Sequence, residues 1–499
     1  MPPSSDQFED SAVRMDRLRR TIGLFLGPAL FLVVLLVPSE LDPRAHRLAA
    51  VFTLVVVYWI SEAIPLAATA LLGPALAVVL GVAPARQAFA LFGHPIIFLF
   101  LGSFLIAGAM RTHGLDRRIA LFALSRSWVG DHPGRILFAF GAIAAFLSMW
   151  MSNTATTAMM LPIGLGVLAT LSRDRAQSRP GRWPYATGLM LMIAYSCNVG
   201  GIGTPVGSPP NLIAIGMIEE IAGRTISFFE WMSFGVPISI ALFVFLYFAV
   251  SRLYAVKRES FEGASEAIQA HRAELGPWSP GQRAALTAFL LAVTLWTLPG
   301  FAGLALGREH AFAEALRNHL AEGPSAVLAA MLLFVFPVDW RKRRFALNWR
   351  DAVKIDWGTI LLFGGGLSLG SLAFSTGLAE ALGQQILRVS GGLPLWAVAL
   401  LALFLANFMT EVMSNTATAN LLIPMFLALA GEATGNPALT ALAATLGCSL
   451  AFCLPVATPP NAIVYGSGHV PLTAMIRAGI LLDIGCGLLA WAGLMLLVG

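Results

Sequence analysis

The chain has 499 residues, 57% of them hydrophobic and only 12% charged, with a mean hydropathy of +0.76. These proportions exclude a soluble globular protein and specify a polytopic α-helical membrane protein, since many apolar runs approach the roughly 20 residues that cross a bilayer core. The formal charge of +5 is small and sits in loops, so no basic domain for nucleic acid is present.

In chain order, Arg17, Arg19 and Arg20 precede a first span near 21–38 and place the N-terminus in the cytoplasm. The leading MPPSSDQFEDSAVRMDRLRR reads as a polar tail, and no small-residue cleavage site follows it, so no removable signal peptide is expected. PSELDPRAHR forms an external turn, followed by spans near 47–61 and 64–82 that are broken at Ser61–Pro65. A segment near 93–110 enters the cytoplasmic stretch RTHGLDRRIALFALSRSWVGDHPGR, whose Ile119–Leu124 portion lies along the membrane surface. An interrupted span at 186–222 and a span at 232–250 precede a charged loop, 251–283. A span near 284–299 leads to an external segment, 307–322, in which Ala311, Phe312, Ala315, Leu316 and Leu320 suit a surface helix. A span near 324–337 and one long segment near 355–388 follow. A second interrupted span (439–467) and a last span (472–498) leave the C-terminus outside.

One stretch occurs twice. FLSMWMSNTATTAMMLP (146–162) and FMTEVMSNTATANLLIP (408–424) share Met-Ser-Asn-Thr-Ala-Thr, at Met151–Thr156 and Met413–Thr418. A cluster of hydroxyls and amides at membrane depth is costly unless it lines a cavity or binds something. Arg135 precedes the first copy and Arg173, Arg175, Arg179 and Arg182 follow it, so the chain enters and leaves on one face. Arms of about 16 residues, or about 24 Å, favour a re-entrant hairpin, although hydropathy alone also allows two full spans. The second copy has only Arg388 nearby and opens to the outside. The repetition extends to LFLGSFLIAGAMRTHGL (99–115) with LFGGGLSLGSLAFSTGL (362–378), and to Gly207-Ser208-Pro209-Pro210-Asn211 with Ala457-Thr458-Pro459-Pro460-Asn461. The expected fold is all-α and polytopic, with about 11 transmembrane helices plus two re-entrant hairpins in inverted-topology repeats. Its parts are a tail and first span (1–46), a first repeat (47–255), a cytoplasmic linker (256–283) and a second repeat (284–499).

Each half thus offers a hairpin tip and a helix break. Ser208 and Thr458 are N-cap residues followed by proline at the first helical position, and such a half-helix start is an anion seat. Asn153, Thr154, Asn415 and Thr416 add amide and hydroxyl donors, and the preceding half-helices end at Gly200–Val206 and Leu454–Val456 with unwound carbonyls. Uncharged oxygens suit a monovalent hard cation such as Na+, whereas a divalent cage needs clustered carboxylates, and Glu411 is the sole acid in these motifs. With no Lys or Arg in either motif, an anionic substrate must be met by dipoles, neutral donors and co-bound cations, which links anion and cation binding.

On these duplicated motifs the chain resembles, over essentially its whole length, the divalent anion/sodium symporter family, which carries dicarboxylates, tricarboxylates or sulfate. The resemblance implies sodium-coupled symport of C4-dicarboxylates such as succinate, malate and fumarate across the cell (inner) membrane, with sodium-independent exchange, citrate or sulfate as alternatives. It implies a first sodium site at Ser148, Ser152, Asn153 and Gly207, and a second at Thr410, Ser414, Asn415 and Ala457. Substrate carboxylates are then expected at Asn153, Thr154, Ser208, Asn415, Thr416, Thr458 and Pro459. No cofactor is implied beyond Na+ as coupling ion, and the expected assembly is a homodimer working by an elevator motion.

Other features have plainer readings. Cys197, Cys448, Cys453 and Cys486 are small buried residues without a metal-binding spacing. Glu411 is divided between support of a cation site and a partner for a backbone N–H. Glu62 is structural, and Asp483 and His94 are packed or snorkelled. Trp150, beside the first tip, is expected to alter pocket size. The Gly364–Gly366 run serves helix packing. An intramembrane enzyme would need a His-Glu-x-x-His, a Gly-x-Ser-x-Gly with a partner His, or paired aspartates, and none is seen.

Overall fold

The computed structural model describes residues 5–172, 183–254, 263–307, 309–390, 393–433 and 436–499. Helices dominate, and the strands among the described residues are one short antiparallel pair, Pro337–Asp339 with Arg344–Phe345. Among the described residues six helical stretches are long and apolar enough alone to cross a membrane: Arg17–Leu36, Ala85–Thr112 (broken before Pro95), Phe228–Leu253, Pro280–Leu306, Trp357–Ser375 and Leu472–Leu497. Ala311–His319 and Glu322–Val335 meet that test only as a pair, bent by 66° at their junction. Other expected spans are carried by shorter apolar helices, including Leu66–Val79 and Pro437–Cys448, and the similarly short Pro133–Ser148 and Leu395–Thr410 are arms of the expected hairpins. Their shortness follows from the polar motifs and prolines that interrupt them.

The duplicated sequence gives a duplicated order of elements. Pro95–Thr112, Leu115–Leu124, the hairpin Pro133–Ser148/Asn153–Ser172, the broken pair Pro184–Gly200/Pro209–Ala222 and Phe228–Leu253 form one series. Trp357–Ser375, Leu378–Ser390, the hairpin Leu395–Thr410/Asn415–Ala433, the broken pair Pro437–Cys448/Pro459–Gly466 and Leu472–Leu497 form the other. In each series the first hairpin arm lies against the first half of its own broken helix. The second half crosses over: Pro209–Ala222 packs on Asn415–Ala433, and Pro459–Gly466 packs on Asn153–Ser172. This exchange brings both breaks to the centre of the fold.

Several expectations change. The long segment 355–388 is two helices, because Gly377 takes a left-handed φ of 77° and ends the first. Gly114, with φ 64°, separates the corresponding pair in the first series. A residue with a Cβ would be strained at either point. The charged 251–283 loop contains a helix, Ala264–Ala273, with Ala264 and Ile268 buried against the first hairpin. The first span's helix begins at Ser5, so the polar tail is helical over its described part. The arginines Arg173, Arg175, Arg179 and Arg182 lie outside the described residues.

Glu62 caps Pro43–Ser61 at a left-handed φ of 50° and pairs with Arg19 and Arg20 at 3.6 Å. His94 caps Pro95–Thr112, its Nδ1 accepting from the Ile96 N–H at 3.3 Å. Gly365 lets its helix ride directly on the backbone of Ala70, as expected for packing.

Candidate functional site

The two hairpin tips are built alike. In the first, Ser148 ends one arm and Asn153 begins the next, and Ser148 Oγ donates to Asn153 Oδ1 at 2.6 Å. In the second, Thr410 Oγ1 donates to Asn415 Oδ1, also at 2.6 Å. Ser148 and Thr410 are fully buried, so each hydroxyl is committed to its asparagine rather than to water. Thr410 Oγ1 also lies 3.1 Å from Cys448 O, which ties the tip to the end of the adjoining half-helix.

Beside the first tip the chain unwinds between Gly200 and Pro209 and its carbonyls converge. A Cβ at Gly207 would stand 2.6 Å from Gly201 O and 3.0 Å from Ser148 O. A Cβ at Gly201 would stand 2.7 Å from Asn153 Oδ1 and 3.1 Å from Gly207 O. Four neutral oxygens therefore face the space two glycines leave open, a donor set for a hard monovalent cation. Ser152, exposed, uses its Oγ to accept from the Ala155 N–H at 3.3 Å, as a cap for the second arm. Thr154 is exposed at the tip, whereas its counterpart Thr416 is buried.

Every opened turn needs its backbone groups satisfied, and the last residue of each Pro-Pro-Asn does much of this. Asn211 Nδ2 donates to Gly201 O and Thr204 O, both at 2.8 Å, and Asn461 Nδ2 donates to Ala451 O at 3.1 Å and Leu454 O at 3.0 Å. In the first break Trp231 Nε1 reaches Ile202 O at 2.9 Å and Ser239 Oγ reaches Val199 O at 2.9 Å. In the second, Tyr195 OH donates to Phe452 O at 2.7 Å. Thr458 caps its half-helix by accepting from the Asn461 N–H at 3.3 Å. Ser208 occupies the same place without that bond, and its Oγ instead meets Ser449 Oγ at 3.4 Å across the repeats. The half-helix before the second break ends at Cys448, earlier than the sequence placed it, so the opened stretch runs from Ser449 to Ala457.

Glu411 is the main asymmetry. Its carboxylate accepts from the N–H groups of Phe452 at 2.7 Å, Cys453 at 2.9 Å and Leu454 at 3.0 Å. It is thus a partner for backbone N–H groups, three of them. Asp483 comes to the same place from the last helix, its Oδ2 2.8 Å from Cys453 Sγ and its Oδ1 3.5 Å from Asn407 Nδ2. Carboxylates are therefore clustered beside the second break, contrary to the expectation from the motifs, because residues 72 apart in sequence share no local pattern.

Asn198 was missed as well. It is fully buried in Pro184–Gly200 and bridges Asn153 and Ala451 O. An asparagine within an apolar run was the available signal. Trp150 does not face the tip: its ring stacks at 6.3 Å on Phe228 and meets Phe289 edge-on at 5.3 Å.

Two polar tips, two opened helices and a polytopic all-α frame define a multi-pass cell-membrane transporter rather than an enzyme. A profile described as "Sodium:sulfate symporter transmembrane region" matches residues 18–497. The chain is 36% identical over 465 residues to the sodium-dependent dicarboxylate transporter SdcS of Staphylococcus saprophyticus, covering 92% of this chain and 87% of that one. It is 34% identical over 468 residues to SdcS of Staphylococcus aureus, with the same coverage. The crystal structure of the Alcanivorax borkumensis YdaH transporter shares the fold at TM-score 0.54 and 14% identity, covering 97% of each chain. The chain belongs to the sodium:sulfate symporter family, the divalent anion/sodium symporters.

Proposed function

We propose that this protein is a sodium-coupled symporter of divalent anions, with C4-dicarboxylates such as succinate, malate and fumarate as substrates. The observation that carries the reading is the cradle of neutral oxygens at Ser148, Asn153, Gly201 and Gly207, echoed by the Thr410–Asn415 pair. No lysine or arginine belongs to either motif, so a dianion there requires co-bound cations and each ligand favours the other. The names of the staphylococcal relatives support both the ion and the substrate class.

In this reading Ser148, Ser152, Asn153 and Gly207 hold one sodium ion, and Thr410, Ser414, Asn415 and Ala457 hold another. Asn153, Thr154, Ser208, Asn415, Thr416, Thr458 and Pro459 receive the carboxylates. The segments 47–255 and 284–499 are inverted repeats, one hairpin opening to each side, with the N-terminus cytoplasmic and the C-terminus external. The hairpins and broken helices move together against the remaining spans as an elevator within a homodimer.

The test is uptake of labelled succinate by proteoliposomes under an inward Na+ gradient, with citrate and sulfate as competitors. Uptake is expected to require Na+ and to be lost in Asn153→Ala and Asn415→Ala. Uptake indifferent to Na+ and to both asparagines would refute the proposal, and exchange in preloaded vesicles without Na+ would replace it with an antiporter.

A further inference from the structure

The way Asn153 faces is set from the other half of the molecule. The relay starts at Ala451 O, a backbone carbonyl that can only accept. It receives the Nδ2–H of Asn198 at 3.1 Å. This leaves Asn198 Oδ1 as an acceptor, and Asn153 Nδ2 donates to it at 3.4 Å. Asn153 then presents Oδ1 to Ser148, accepting from its Oγ at 2.6 Å, and Oδ1 is the nearer end to the space at Gly201, 2.7 Å from where a Cβ would stand there against 3.3 Å for Nδ2. A carboxamide has two ends of similar size and opposite polarity, so only its partners decide which end points where. Reversed, Asn153 would aim an N–H at a cation already ringed by carbonyl oxygens.

We propose that Asn198 is a positioning residue of the first cation cradle: it fixes the carboxamide of Asn153 with oxygen toward the cation. The inference rests on the cation-coupled reading above. Asn198 is fully buried and cannot itself be reached by a solute arriving from water. Removing it leaves Ala451 O still satisfied by Asn461 Nδ2 at 3.1 Å, so the second break keeps its partner and the fold loses little. Asn153 alone loses an acceptor. In the second cradle Thr410 holds Asn415 through its oxygen as Ser148 holds Asn153, and no relay to the Asn415 nitrogen is found among the described bonds.

The experiment is thermal unfolding of the purified full-length protein during a Na+ titration, with choline replacing Na+ to keep ionic strength constant. Asn198→Leu should raise the Na+ concentration for half-maximal stabilisation about tenfold, the scale of one lost orienting hydrogen bond. Its unfolding temperature in choline should stay within about 2 °C of the parent. Asn198→Asp keeps the acceptor for Asn153 and should hold or strengthen Na+ dependence. Asn198→Ala gives the same reading as leucine should leucine prevent folding. An unshifted Na+ midpoint in the leucine variant, or an equal loss in the aspartate variant, would overturn the inference. A parent protein whose unfolding ignores Na+ would overturn the cation-coupled reading and this inference with it.

Discussion

Glu411 allows a stability prediction with a built-in gradation. Its two oxygens gather three consecutive backbone N–H groups, those of Phe452, Cys453 and Leu454, at 2.7, 2.9 and 3.0 Å. A hydrogen bond to a charged group contributes about 1.5–3 kcal/mol, and an orphaned buried donor costs about 1–3 kcal/mol. Glu411→Ala abandons all three donors, and after water enters the gap the net loss should be about 3–5 kcal/mol. Glu411→Gln keeps one oxygen for Phe452 and Cys453 but sets an amide N–H against Leu454 N, for a loss of about 1–2 kcal/mol. In a chain of this length, where each kcal/mol shifts the midpoint by about 1 °C, these figures lower the unfolding temperature by about 3–5 °C and about 1–2 °C respectively. Thermal unfolding of the purified variants, followed by tryptophan fluorescence or light scattering, measures both. The order parent, glutamine, alanine is the content of the prediction. An alanine variant as stable as the parent, or a glutamine variant below it, would show that the carboxylate does not hold the opened turn.

Gly207→Ala puts a methyl 2.6 Å from Gly201 O and 3.0 Å from Ser148 O, and both are backbone atoms that cannot step aside. Na+-dependent uptake should fall at least about a hundredfold with expression unchanged, which a proteoliposome assay beside a membrane immunoblot decides. Trp150→Ala removes a ring packed against Phe228 and Phe289. It should cost about 2–3 kcal/mol in stability while leaving the Na+ concentration for half-maximal uptake within about twofold, and parallel unfolding and uptake titrations separate the two effects.

What could be read from the chain followed local rules. The hairpin tips and the starts of the second half-helices fall where the sequence placed them because Ser-Asn-Thr and Pro-Pro-Asn carry their own capping signals, whereas the half-helix ending at Cys448 stops earlier than expected. The Gly377 break was hidden by an apolar run that reads equally well as one helix or two. Asp483 beside Glu411 comes from an element far along the chain, and Asn198 beneath Asn153 from the next helix, and in both cases the neighbours are decided only by packing. Trp150 misled for the same reason, since its partners Phe228 and Phe289 lie on later helices.

The bond from Asn198 to Ala451 joins residues 253 apart. At about 5–20 residues per second, a ribosome needs on the order of 10–50 seconds to make the second after the first. Throughout that interval Asn198 lacks the Ala451 carbonyl that receives its amide. An N-terminal half released alone would be an apprentice without a master, folded in outline and unable to select its ion. Expression of the two halves as separate polypeptides should therefore give competence only when both are made together.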